Sequence, residues 1–336
     1  MHRLRNIHPL TALGFLVAIA VYVKIAWVSE DAYIIFRSIE QLFAGNGPIW
    51  NPHERVQVFT SPLWFWLLAG ARVFSADVFL NAITLGLMLW VACLAVIRQV
   101  AGTGGRFLLV VLLLVAANGF ADFISSGLEN SLLYLLLAMF VLLFGRMGDP
   151  AADTGPRVLI WLWFVAGLVL LTRLDQIFLV GPAMVGATWG RRQLLNRRLV
   201  ARLLIAGVGP LGLWTVFSVI YYGIPFPNTA MAKLNTGISQ WALLSQGTKY
   251  YLASIGSDTI SIAAAGACVW WGRRIAGVRL LALGALLQFG YVVWVGGDFM
   301  LGRFLAGPYL VLVLAAVALT DWQLVERRAV WVGLLL

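Results

Sequence analysis

The chain has little charge. Asp, Glu, Lys and Arg make up 11% of its 336 residues, where soluble domains run near a quarter. With 61% hydrophobic residues and a mean hydropathy of +0.90, a soluble globular fold is excluded and a polytopic membrane protein is expected. Cysteine is scarce too. Cys93 and Cys268 each sit in an apolar run without a CxxC neighbour, so they read as small buried hydrophobes rather than a disulfide or metal pair. The histidines are His2, His8 and His53, with no HExxH and no His/Cys cluster to suggest zinc. A P-loop, a GxGxxG after a strand and a Ser-His-Asp arrangement are all missing, as are internal repeats and low-complexity segments. The net charge of +10 does not call for nucleic acid, because arginine-rich cytoplasmic loops account for it in a membrane protein.

What is present is a series of apolar runs. The N-terminal stretch MHRLRNIHPLTALGFLVAIAVYV is basic and then apolar, but no A-x-A site follows, so it reads as a retained first transmembrane helix. Spans are expected at about 9–28, 77–97, 106–119, 127–145, 157–172, 174–190, 199–221, 258–272, 278–295 and 303–320, with a further apolar start from Ala329. The fold class is therefore all-α, with about 10–11 transmembrane helices in one membrane domain covering 1–336. The run 61–75 would reach roughly 22 Å as a helix, short of a hydrocarbon core about 30 Å thick. Pro62 suits a first helical turn, and Trp64 and Trp66 suit an interface.

Charge decides the topology. If 61–75 does not span and the N-terminus is cytoplasmic, the inside carries Arg3, Arg5, Arg98, Arg106, Arg146, Arg157, Arg191, Arg192, Arg197, Arg198, Arg202, Arg273, Arg274, Arg279, Arg327 and Arg328, which is 16 of the 24 basic residues. If it does span, only seven lie inside. The positive-inside rule prefers the first arrangement. Ten of the 14 acids then fall at or near the outer face: Glu30, Asp31, Glu40, Glu54, Asp77, Asp122, Glu129, Asp175, Asp258 and Asp298. Acids contribute little to insertion, so their bias points to polar chemistry outside.

Two outer loops are long, 29–76 and 222–257. In the first, Ile35, Ile39, Leu42 and Phe43 recur at helical spacing with Arg37, Ser38, Glu40 and Gln41 opposite, which predicts an amphipathic surface helix ended by Gly45-Asn46-Gly47-Pro48. In the second, WALLSQGTKYYLA predicts another surface helix. Glu30 and Asp31 open the first loop. They suit a helix N-terminus, and equally a general base taking a proton from an acceptor hydroxyl. Arg173 and Asp175, in LLTRLDQIFL, sit at a span end and suit either an ion pair or an arginine gripping phosphate with the aspartate orienting it. Asp298 and Arg303, in VGGDFMLGRF, occupy a Gly-rich turn. Lys24 at the outer end of the first span suits snorkelling or grounding a phosphate. Lys233, His53, Glu54 and Arg55 lie on the outer loops. Glu129 stands in the first turn of a span, where capping explains it.

Together EDAYIIFR, NGPIWNPHERVQVFTSPLW, LLTRLDQ, PFPNTAMAKL and VGGDFMLGRF resemble the arabinofuranosyltransferase branch of the GT-C glycosyltransferases, which includes the mycobacterial terminal β-(1→2) enzymes and related pilin-modifying enzymes. The resemblance covers about residues 9–320. It implies a multi-pass bacterial inner-membrane protein of the cell envelope with juxtamembrane helices in the first extracytoplasmic loop. It implies a polyprenyl-phosphate sugar donor, with arabinofuranose as the sugar and a glycan or protein hydroxyl as acceptor. Asp31, beside Glu30, maps onto the catalytic acid, and Arg173, Arg303 and Lys233 onto cations for the lipid phosphate. Asp175, Asp298, His53 and Arg55 are further substrate-binding candidates. A divalent cation, Mg or Mn, would fall on Asp31 and Glu30 if one is used. The first acid is Glu where the family pattern has Asp. The chain ends in an apolar run where family members continue, so a further C-terminal part is expected after 336. The alternatives are a flippase for polyprenyl-linked sugars and a GT-C enzyme for another sugar such as mannose.

Overall fold

The computed structural model describes residues 8–148, 155–228 and 237–319. These form fourteen α-helices and two short 3-10 turns. In chain order the helices are α1 (Pro9–Lys24), α2 (Glu30–Phe43), α3 (Pro62–Arg72), α4 (Val78–Ala101), α5 (Gly104–Ala116), α6 (Asn118–Ile124) and α7 (Asn130–Gly148). They continue as α8 (Pro156–Thr172), α9 (Ile177–Trp189), α10 (Arg197–Tyr222), α11 (Gln240–Ser257), α12 (Thr259–Gly272), α13 (Ala276–Trp294) and α14 (Arg303–Leu319). Their ends are set by local chemistry. Asp77, Thr103, Asn196, Ser239 and Asp258 each accept a backbone N–H at the start of a helix, and Pro9, Pro62 and Pro156 stand in first turns. Gly102 and Gly223, at positive φ, close α4 and α10.

Four helices, α4, α7, α10 and α13, are long and apolar enough to cross a membrane. The bent pairs α5–α6 (90°) and α11–α12 (99°) raise the number to six, and α1, α8 and α14 are shorter apolar helices. The multi-pass character expected from composition is present. The expected span 174–190 is realised differently: α9 holds only 13 residues, about 20 Å of helix, because Leu174–Gln176 form a 3-10 turn instead. α7 lies at the centre of the packing, with α4, α8 and α14 against it, and Tyr134, Leu137, Ala138, Phe140 and Val141 are fully buried there.

α2 and α3 form a pair between α1 and α4. α3 is 11 residues long, about 16 Å, and Arg72 at its end pairs with Glu40 of α2 at 3.0 Å. α2 buries Ile35 and Ile39 and exposes Arg37 and Glu40, as its pattern predicts. Two details differ. Ser38 is buried, because its hydroxyl is satisfied within the helix by donating to the Ile34 carbonyl at 3.0 Å. Trp64 is not at an interface. It is wholly buried, and its indole N–H donates to the Gly127 carbonyl at 3.1 Å. The loop 46–60 rests on the C-terminal end of α10: Tyr222 donates to Pro48 O at 2.6 Å and Ser218 to Gln57 Oε1 at 2.8 Å. The helix expected near 241–253 is present as α11.

Candidate active site

Four separate connections meet at one end of the bundle: the start of α2, the loop before α7, the turn after α8 and the turn before α14. The first two are stitched together by backbone. Ser29 N donates to Ser126 O at 2.8 Å, and Ser125 Oγ donates to Ile25 O at 3.2 Å. Gly127 has φ +72°, and a Cβ there would lie 2.9 Å from Val28 Cγ1, so only glycine lets this loop pass so close to α2. The turn before α14 contains Gly296, Gly297 and Gly302, all at positive φ. Gly302 packs on Gly119 of α6 backbone to backbone.

Side chains then converge. Ser29 takes the N-cap position of α2, and Glu30 and Asp31 are its first two residues. Asp31 Oδ2 lies 3.9 Å from Arg303 Nη1, with the Asp31 side chain 36% exposed. Arg303 Nη2 donates to Glu129 Oε1 at 3.0 Å, and Asp298 Oδ2 stands 3.9 Å from Arg303 Nη1. Arg173 Nη1 reaches the same Glu129 oxygen at 3.5 Å. The other edge of Arg173 holds Asp175 in a fork, at 3.0 and 3.1 Å, and its guanidinium lies 4.6 Å from the centre of the Phe304 ring. Asp175 Oδ2 also accepts from Gln176 Nε2 at 3.1 Å and Gln288 Nε2 at 2.8 Å. Burial opposes the charge on both members of this pair. For Asp175, the Arg173 charge and the three side-chain donors outweigh burial and hold its carboxyl below the usual carboxylate range. For Arg173, Asp175 and Glu129 outweigh it and keep the guanidinium firmly protonated.

Of the residues singled out in the sequence, Asp31, Arg173, Asp175, Asp298 and Arg303 come together in this cluster. Glu30 is exposed on the neighbouring face of α2. His53 is exposed, and Arg55 is exposed over the Tyr221 ring at 5.0 Å; neither takes part in the ion pairs of the cluster. Lys233 lies outside the described residues. Lys24, the last residue of α1, is exposed. Glu129 is the residue the sequence reading missed. It is 3% exposed and joins both arginines. Gln288 was equally silent, as an amide inside an apolar run. The one available signal for Glu129 was an acid too deeply placed among apolar neighbours to be solvated.

The donor set does not fit a divalent cation. Successive helical residues point about 100° apart, and Asp31 lies beside a guanidinium while Glu30 is exposed. Among the described residues no group of three or more His, Cys, Asp or Glu side chains could hold a metal ion. Mg²⁺ and Mn²⁺ favour octahedral oxygen sites, and no chemical step is assigned to one here.

Beside the cluster lies an apolar cavity of about 850 Å³ between α6, α11, α12, α13 and α14. Leu301, Gly302 and Leu305 form its wall next to Arg303, and Phe289, Ala265 and Leu312 line its apolar body. Asp122 and Asp258 lie at one end, and Trp270 and Arg273 at the other.

No family model matches the sequence. The chain is 31% identical over 345 residues to the terminal β-(1→2)-arabinofuranosyltransferase of Corynebacterium glutamicum, covering 90% of this chain and 49% of the relative. It is 30% identical over 243 residues to the enzyme of that name from Mycobacterium tuberculosis, covering 67% of this chain and 37% of the relative. The chain thus spans about half the length, or less, of the curated relatives it matches. Among solved structures it superposes on ArnT from Cupriavidus metallidurans bound to undecaprenyl phosphate with a TM-score of 0.61, at 15% identity, over 96% of this chain and 63% of that one. The apo form of ArnT gives a TM-score of 0.60. The chain therefore has the GT-C fold of ArnT and is a sequence relative of the terminal β-(1→2)-arabinofuranosyltransferases.

Proposed function

We propose that the chain is the membrane domain of a glycosyltransferase that moves arabinofuranose from a polyprenyl-phosphate donor to a hydroxyl of a glycan or protein outside the cytoplasm. The observation that carries this reading is one juxtaposition: a part-exposed carboxylate, Asp31, 3.9 Å from a guanidinium, Arg303, whose chain neighbours Leu301, Gly302 and Leu305 line an apolar cavity of about 850 Å³. A lipid-linked donor needs both parts, an apolar groove for its chain and a cation for its phosphate.

Asp31 takes the proton of the acceptor hydroxyl. The acceptor oxygen bonds to the anomeric carbon, and the bond from that carbon to the phosphate oxygen breaks. The bonding pair leaves with the polyprenyl phosphate, whose growing charge Arg303 stabilises in place, the kind of preorganised electrostatics that usually supplies the largest catalytic term. Arg173 suits a supporting role, since Asp175 already occupies its fork. The ten outer acids and the sixteen inner arginines support an inner-membrane placement with the N-terminus inside and the site outside. Relatedness to enzymes named for arabinofuranose transfer supports that sugar over mannose. A flippase would place paired charges near mid-membrane in repeated halves, whereas these charges sit at helix ends.

The test is transfer of label from polyprenyl-phosphate arabinofuranose to acceptor in membranes containing the protein. Asp31→Asn should abolish transfer with expression and insertion intact. Near-normal activity in that variant would end the assignment of Asp31 as base.

A further inference from the structure

The two arginines of the site are not equivalent. Arg173 is already committed: Nε and Nη2 hold Asp175 in a fork, Nη1 stands 3.5 Å from Glu129, and the side chain is 10% exposed. Arg303 is the opposite case. Among the described residues its buried Nε has no hydrogen-bond partner, and its Nη1 meets only the Met300 sulfur, at 3.3 Å, and two carboxylates at 3.9 Å. Sulfur is a weak acceptor, and 3.9 Å is too long for a hydrogen bond. Among the described residues, the one strong bond that orients Arg303 is the 3.0 Å bond to Glu129.

Glu129 is itself set on a fixed frame. Its loop is tied to α3 through Trp64 and Gly127 and to α2 through Ser29 and Ser126, and the Ser131 hydroxyl donates to the Ile124 carbonyl. Its carboxylate also rests on Arg173, which Asp175 holds in turn, and Gln176 and Gln288 both donate to Asp175. Asp31 and Asp298 stand ready on the other side of Arg303. Without the Glu129 charge, the guanidinium would close on them.

We propose that Glu129 is the positioning residue for Arg303, holding its guanidinium toward the lipid phosphate and away from Asp31. This rests on the polyprenyl-phosphate reading above. Glu129 touches neither donor nor acceptor; it acts through Arg303.

The experiment measures binding of a polyprenyl monophosphate to the purified full chain in nanodiscs, with a neutral polyprenyl alcohol as control. Glu129→Gln should weaken phosphate-lipid binding roughly 10- to 100-fold, the range for losing a hydrogen bond to a charged group. It should raise the donor KM while leaving the acceptor KM near its parent value, and Glu129→Asp should recover part of the loss. In an Arg303→Lys background, Glu129→Gln should add little, since the residue it positions is already changed. Parent-like phosphate binding by folded Glu129→Gln would overturn the proposal, as would independent, multiplying effects of the two substitutions. If Glu129→Gln does not fold, Glu129→Asp decides: a parent-like dissociation constant there overturns it. A parent protein that holds the phosphate lipid no better than the alcohol would overturn the polyprenyl-phosphate reading itself, and this inference with it.

Discussion

Arg173 and Asp175 form a buried fork whose loss would strand charge. Arg173→Met leaves Asp175 and Glu129 without their shared cation. Breaking a buried pair in this way costs about 3–5 kcal/mol, so a large drop in melting temperature in detergent is expected. Asp175 also predicts a pH dependence. Its folded carboxyl titrates below the unfolded value of about 3.9. Its contribution is therefore complete above that value and is lost as pH falls through the lower, folded value. The melting-temperature gap between the parent and Asp175→Asn should hold steady from neutral pH down to about pH 5 and shrink below about pH 4. A gap that grew on acidification would contradict the depressed carboxyl. At this scale Arg173, Asp175, Asp298 and Arg303 were legible, since charge at span ends is costly and stands out in a chain this apolar. Glu129 was not, because a lone acid in a first helical turn is what capping alone would produce. His53 and Arg55 were equally visible, yet they sit apart from the cluster on a surface loop.

Among the elements, the short α6 has the largest leverage on the site. It turns 90° from α5 and brings Gly119 against Gly302, the residue before Arg303. A Cβ on Gly119 would lie 2.8 Å from Gly302 Cα and 2.9 Å from its carbonyl oxygen, and backbone cannot swing aside as a side chain can. Gly119→Ala is expected to cost about 1–3 kcal/mol as overpacking, and to depress transfer further than that loss of stability explains, because the turn carrying Arg303 must move. Melting and transfer rate on the same preparation check this. The amphipathic α2 was readable from its period, and the shortness of α3 from its length. The 3-10 turn that shortens α9 was not, since 174–190 is apolar almost throughout. In that turn Asp175 accepts from its neighbours Arg173 and Gln176 and from Gln288, and only Gln288 lies far away in the chain.

For the whole molecule, the ion-pair cluster and the arginine-rich helix ends lie at opposite ends of the bundle. At one end Arg303 meets Glu129; at the other Arg98 donates to Thr11 at 3.2 Å and Arg191 to Met147 O at 2.7 Å. Cysteine labelling in a background lacking Cys93 and Cys268 tests the orientation. His53→Cys and Ala76→Cys, both exposed at the cluster end, should react with an impermeant reagent on intact cells. Gln193→Cys, exposed at the far end, should react only after permeabilisation. The reverse pattern would invert the topology and move the site to the cytoplasm.

By itself the sequence determined the solvent this protein lives in and the presence of many apolar helices, and it predicted a sorting of charge between two faces. Each follows from local composition, because a bilayer reads hydrophobicity and arginine one segment at a time. It also marked the acid pair at the start of the first loop. Among the described residues the number of helices long enough to span, four or six with the bent pairs, is smaller than the ten or so it predicted. Only the tertiary structure decided which charges act together. Residues 31, 129, 173, 175 and 303 meet through backbone contacts, Ser29 with Ser126 and Gly119 with Gly302, between segments distant in the chain. No local pattern encodes such a meeting, and it is what turned Glu129 from a helix cap into the pivot of both arginines.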